Sequence, residues 1–308
     1  MNYNKPPISI EEQINRLEKR GLQFKNKTLA ANYLKNISYY RLRAYTYPFQ
    51  NNTDANADHE FLCKNIDFID IIDIYVFDRS LRNLIFNELE KIEVAVRTKL
   101  SLVYSVSLNN AMWYEEKELY RDEDKYCNLM SEISNDVKRS NEDFIKHYKD
   151  KYSRPEMPPS WMTLEVVSFG TLSKIFGQLK ECDEKKEITG SFGLSNEKIF
   201  SNWLHAFSNL RNCCAHHSRV WNRRFIVNMI IPYNTLYPFL NGKNNKRKLC
   251  QNKIFVLLSA IKYIVDIISP DNSFKTHLIE LFNDKHRFVS MKEMGFPDSW
   301  QDWPVWKK

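Results

Sequence analysis

An all-α fold is what this chain predicts, on three observations. Glycine is scarce, at seven in 308 residues. That is too few for the turns and phosphate loops of strand-rich or doubly wound folds. From Asp67 to about Ser105 the apolar positions Ile71, Ile74, Tyr75, Leu81, Ile85, Leu89, Ile92, Val96 and Leu100 recur at three- and four-residue steps, with no proline or glycine between them. Such spacing is that of one long amphipathic helix. A hydrophobic fraction of 43% beside 27% charged residues supplies a helical core for one large domain or two small ones.

The remaining elements follow in chain order. Ser9 with Glu12 forms a capping-box signature and Gly21 a stop, so a short helix is expected over 10–20. A second is expected from Thr28 to about Asn36, followed by an Asn- and Asp-rich loop over 51–58. A more polar helix over 123–150 ends at the connector RPEMPPS, after which Ser160 caps a helix through Trp161, Leu164 and Val167, with a break at Gly170. GSFGLS at 190–195 reads as a turn, and the next helix runs from near Ser195 to about Ser218. Helices over 249–268 and 273–285 and an aromatic tail (Trp300, Trp303, Trp306) complete the chain. The expected organisation is an N-terminal helical segment, 1–60, leading into a helical core, 61–308, or one continuous domain.

Charge is unevenly spread. The net charge is only +7 with a pI near 8.9, yet from Lys198 to Val265 there are eleven Lys and Arg and no Asp or Glu. A localised basic field points to a polyanionic partner. Within it AFSNLRNCCAHHSRVWNRR, residues 206–224, holds Arg211 and His216 with four residues between them. A guanidinium grips phosphate oxygens and an imidazole moves a proton, which suits a phosphodiester. On a continuous helix Trp203, Phe207, Leu210 and Cys214 would pack inward, while His205, Asn209, Asn212, His216, Arg219 and Arg223 would form a second, polar stripe. A polar surface or helix–helix hydrogen bonds is the plainer alternative for that stripe. Arg211 lies about 140° round the helix from His216, so a local distortion or a second protomer is expected to complete the cleft.

The chain has no CxxC pair, GxGxxG, Walker-type loop or HExxH. No cofactor is expected. Cys213, Cys214, His216 and His217 are too closely spaced on one helix to surround a tetrahedral zinc, and buried thiols are the simpler reading. Scattered cysteines and the lack of a leader or an eighteen-residue apolar run lead to the expectation of a reducing, cytoplasmic location with no membrane span. SYYRLRAYTYPF at 38–49 could stack bases on its tyrosines, with packing onto the core as the favoured alternative. KNNKRK at 243–248 reads as an exposed loop that attracts RNA, and Glu165 as a candidate ion-pair partner for Arg211.

Arg211-Asn212-x-x-x-His216 resembles the Arg-x4-6-His signature of HEPN ribonucleases. The wider sequence resembles the Abi-like family of bacterial abortive-infection proteins through five ordered blocks. These are GLQFKNKTLAANYLKNISYYRLRAYTYPF (21–49), IYVFDRSLRNLIFNELEKIEVAVRTKL (74–100), SWMTLEVVSFGTLSKIF (160–176), LRNCCAHHSRVWNRR (210–224) and MGFPDSW (294–300). The resemblance implies a HEPN-like helical bundle that dimerises and a metal-independent endoribonuclease acting as a toxin in anti-phage defence. His216 would act as acid and base, with Arg211 on the phosphoryl charge and Asn212 orienting the imidazole or holding a phosphate oxygen. His217, Arg219, Asn222, Arg223 and Arg224 would contact the RNA backbone; the plainer alternatives are a His217 packed against a neighbouring helix and basic residues paired with acids of the 115–124 segment. A small noncoding RNA antitoxin is a candidate partner. Two alternatives stand beside this reading: a non-catalytic RNA-binding or scaffold protein, and a site for another nucleotide modification.

Overall fold

The structure is a computed structural model describing residue 2 and residues 6–53, 58–240 and 249–308. Among the described residues it holds thirteen α-helices, and pairing of extended backbone is confined to isolated bridges. The expected all-α class is what the chain adopts. No helix among these residues is long and apolar enough to cross a membrane. The 243–248 segment lies outside the described residues, as do residues 54–57 of the 51–58 loop.

The chain divides into two compact units, one of Met1–Arg82 with Ile279–Ser290 and one of Asn83–Leu278 with Met291–Lys308. In the first, α1 (Ile10–Lys19) opens with the reciprocal capping box, Glu12 N–H donating to Ser9 Oγ at 3.2 Å and Ser9 N–H to Glu12 Oε2 at 2.6 Å. α2 (Lys27–Ile37) is followed by α3 (Tyr39–Thr46), which periodicity alone does not reveal because Ser38, at φ 68°, divides the two. α3 settles the 38–49 tyrosines differently from one another. Tyr45 is buried and donates to Asp78 Oδ2 at 2.6 Å, Tyr39 accepts from Arg20, and Tyr40 is exposed. The first turns of α4 (Phe68–Ser107) belong to this unit.

In the second unit the expected helix over 123–150 is two, α5 (Glu123–Arg139) and α6 (Asp143–Lys151). Ser140 turns the chain between them, its Oγ accepting from Glu142 N–H at 3.3 Å, a local bond that competes with the helical ladder. Ser160 is not a cap. It is the first residue of α7 (Ser160–Val166), and its buried hydroxyl meets Ser101 and Ser105 of α4. The break comes at Val167–Ser168 rather than Gly170, since Ser168 caps α8 (Phe169–Gln178). Then come α9 (Asp183–Ser191), α10 (Glu197–Ala215), α11 (Ile254–Ile268), the first half of α12 (Phe274–Asn283), whose residues from Ile279 belong to the first unit, and α13 (Pro304–Lys307). α10 packs against α8, α9 and α11, so the basic helix crosses the middle of this unit's core. The aromatic tail closes on α11: Trp306 donates to Ser259 Oγ at 3.0 Å and Trp303 meets the Phe255 ring edge-on.

Candidate active site at the end of α10

Asn196 starts α10 by accepting from the Lys198 and Ile199 amides. Trp203, Phe207, Leu210 and Cys214 are buried, as the helical spacing required. Trp203 also donates its indole N–H to Ile230 O at 2.8 Å, tying the extended segment after the motif to the helix.

The second stripe is not continuous. α10 ends at Ala215, and His216 is its C-cap. His217 stands at φ 56°, its N–H donating to Cys214 O at 3.0 Å while Ser218 N–H donates to Cys213 O at 2.8 Å. These two bonds form a Schellman closure with histidine where glycine is usual. The expected extension to Ser218 is therefore cut short, and Arg219 and Arg223 leave the helix. His216, His217 and Asn212 are exposed, and Asn212 meets His216 through its backbone, its carbonyl accepting from the His216 amide at 3.0 Å.

Arg211 is half-buried and turns toward α4. Its Nε lies 3.5 Å from Glu93 Oε2, and its guanidinium carbon lies 5.6 Å from the Phe86 ring centroid. That Nε is buried without a hydrogen-bond partner, so the contact with Glu93 is ionic in character. Glu93, itself buried, accepts from Arg97 at 2.6 Å, and Arg97 donates to the Leu164 and Val167 carbonyls, both at 2.9 Å. Glu165 is not the partner of Arg211. It is exposed and lines a separate concavity with Asp136, Arg139 and Glu142. Reading the sequence missed Glu93 and Arg97, although their four-residue spacing inside the 74–100 block marks them as one-face neighbours.

Beyond the helix, Val220 and Trp221 are buried anchors that hold a basic loop in place. Arg219 lies over the Trp221 ring at 5.8 Å, while Arg223 lies over Phe225 at 5.9 Å and donates to Arg219 O at 3.2 Å. Asn222, at φ 45°, is a bridge: its amide donates to Glu293 at 2.9 Å and accepts from Lys253 at 3.1 Å. Burial, with Arg224 and Arg219 close by, pushes the Lys253 ammonium below its ordinary value. Arg219, Arg224 and Lys253 thus form one positive cluster. Acids that meet this region come from elsewhere in the chain, Glu93 at Arg211 and Glu293 at Asn222. A stretch without acids in sequence is not a space without acids.

Cys214 is buried and Cys213 half-buried, and among the described residues no three His, Cys, Asp or Glu side chains are grouped to hold a metal.

These features define an all-helical protein that presents an exposed histidine and a half-buried arginine at the end of one core helix, beside an arginine-rich loop. The chain belongs to the Abi-like protein family, whose model matches residues 32–222, well over half of its length. The matched span includes Arg211, Asn212, His216, His217, Arg219 and Asn222 and stops before Arg223, Arg224 and the MGFPDSW block. No curated protein and no solved structure matches the chain.

Proposed function

We propose that this protein is a HEPN-type endoribonuclease that serves abortive infection as an RNA-cutting toxin against phage. The observation that carries the reading is the placement of an exposed His216 at the cap of α10, five residues from an Arg211 whose side chain is held against α4. Membership of the Abi-like family supports the defence role.

In the proposed reaction an imidazole takes the proton of an RNA 2′-hydroxyl, and that oxygen bonds to the neighbouring phosphorus. The bond from phosphorus to the 5′-oxygen breaks, and the leaving oxygen takes a proton from an imidazolium. The products are a 2′,3′-cyclic phosphate and a 5′-hydroxyl. Arg211 offsets the charge that builds on the phosphoryl oxygens. One imidazole cannot begin as both base and acid, so two copies of His216 meet in a homodimer, with Asn212 beside each ring. His217, Arg219, Asn222, Arg223 and Arg224 hold the RNA backbone, and the same basic face receives a small noncoding RNA antitoxin.

Purified protein incubated with total RNA, with and without chelator, tests this beside Arg211→Ala and His216→Ala. Wild type should cut under both conditions, and each variant should lose about 100-fold or more. Cleavage that vanishes with chelator yet survives His216→Ala would sink the assignment. Binding without cleavage in every sample would favour a non-catalytic RNA-binding scaffold.

A further inference from the structure

Arginine at a phosphoryl site works only if its planar fork is aimed before the substrate arrives, because a free side chain would spend binding energy on ordering itself. Two contacts aim Arg211, and a third braces one of them. The Phe86 ring lies under the guanidinium, the Nε edge faces Glu93, and Glu93 is held in turn by Arg97. Arg97 is fixed to main chain, through the carbonyls of Leu164 at the end of α7 and of Val167 just beyond it. The chain of support therefore runs from backbone through Arg97 and Glu93 to Arg211. Among the described residues no hydrogen bond occupies either terminal nitrogen of Arg211, which leaves the outer edge of the fork for two phosphate oxygens.

The charges explain why an acid sits here at all. A single carboxylate beside a phosphate site would repel the substrate. Glu93 is shared between two guanidinium groups, so the trio keeps one net positive charge. Lys91 and Glu88, an ion pair on the same helix, make no such link to α10. Glu165 on α7 faces solvent and makes none either.

We propose that Glu93 is a positioning residue for Arg211: with Phe86 it locks the guanidinium by its Nε edge so that the opposite edge meets the scissile phosphate. This deepens the nuclease reading and rests on it for its kinetic consequence. The inner geometry, a guanidinium immobilised by Glu93, can be measured without any RNA.

The two roles open to Glu93 differ in sign. If it contributed only charge, its removal would make the site more positive, and RNA would bind more tightly with cleavage undiminished. If it positions Arg211, cleavage slows although binding holds or tightens. The experiment compares wild type, Glu93→Ala, Glu93→Gln, Arg211→Ala and the double variant Glu93→Ala/Arg211→Ala under single-turnover conditions on a short single-stranded oligoribonucleotide. Glu93→Ala should lower the cleavage rate about 10–100-fold with the RNA dissociation constant unchanged or lower. Glu93→Gln, which keeps an oxygen acceptor, should recover part of that loss. In the Arg211→Ala background Glu93→Ala should cost nothing further, since there is no guanidinium left to aim.

A second measurement does not depend on cleavage or on the Ala variant folding well. In full-length protein labelled with 15N-arginine, the Arg211 Nε–H signal is identified by its absence in Arg211→Lys. It should exchange slowly with water in wild type and faster in Glu93→Gln, with unchanged thermal unfolding as the check on fold. Additive losses in the double variant, or an Arg211 signal indifferent to Glu93, would overturn the positioning role. Failure of wild type to cut RNA would overturn the nuclease reading instead, and the Nε–H exchange would still decide whether Glu93 holds Arg211.

Discussion

His217 occupies a left-handed backbone conformation in which a Cβ is crowded, at the one position of the helix closure where glycine is the usual choice. Histidine there costs stability, and the proposed use of its ring on RNA is a reason for keeping it. His217→Gly should raise the unfolding free energy by about 1 kcal/mol in urea titrations, the crowding relieved less the extra chain entropy of glycine. RNA cleavage by that variant should weaken. A variant that is less stable than wild type would show that the left-handed residue is not strained. This residue also shows where reading the sequence stops short. Nothing in CCAHHS marks a helix end, because the closing geometry is imposed on a histidine and not signalled by a glycine. Arg211 and His216 stand out in the sequence as a candidate pair by their spacing. Glu93 was not, since a partner that is distant in sequence and buried leaves no mark on the motif it serves.

Helices were legible where their apolar faces were long and uninterrupted. α4 lies within a residue or two of its expected limits, and the inward stripe of α10 is as its spacing required. Where boundaries depend on one hydrogen bond the expectation slipped. Ser140 divides α5 from α6, and Ser168 rather than Ser160 caps a helix, because the Ser160 hydroxyl finds better partners in Ser101 and Ser105. Asn196 is a cap whose effect can be isolated. Its side chain satisfies two amides at the start of α10, and Asn196→Ala should cost about 1 kcal/mol of stability. The candidate site is at the far end of that helix, so the cleavage rate at temperatures well below unfolding should hold within about twofold. A large loss of activity at full foldedness would mean that the helix transmits strain along its length.

For the molecule as a whole, stability should respond to pH through a buried amine. Lys185 of α9 is almost wholly buried, donates to Leu179 O at 2.6 Å and lies 5.0 Å from the Phe176 ring centroid. Burial, reinforced by the positive charge of Arg121, pushes its pKa from 10.5 down to about 8. The folded chain thus releases this proton more readily than the unfolded chain. Between about pH 8 and its ordinary value the unfolded state holds the extra proton, so stability from this group rises with pH, by up to about 3 kcal/mol. Below that window both states are protonated and the penalty for burying the charge is constant. Lys262 and Lys253 shift in the same direction, also first through burial, so the effect is read as a difference. Wild type should gain on Lys185→Met between pH 8 and 10 in urea unfolding; a difference that stays flat would show that the amine is not strained by burial.

Composition and periodicity were enough for the all-helical class, the long α4, the inward face of α10 and the basic motif at its end, because glycine scarcity and apolar spacing are local properties of the chain. Folding chose the companions of that motif. Glu93, held by Arg97, reaches Arg211 from α4, and Glu293 and Lys253 reach Asn222 from segments far along the chain. Pairing of buried charges depends on which helices lie side by side, and that follows from how the apolar faces pack together.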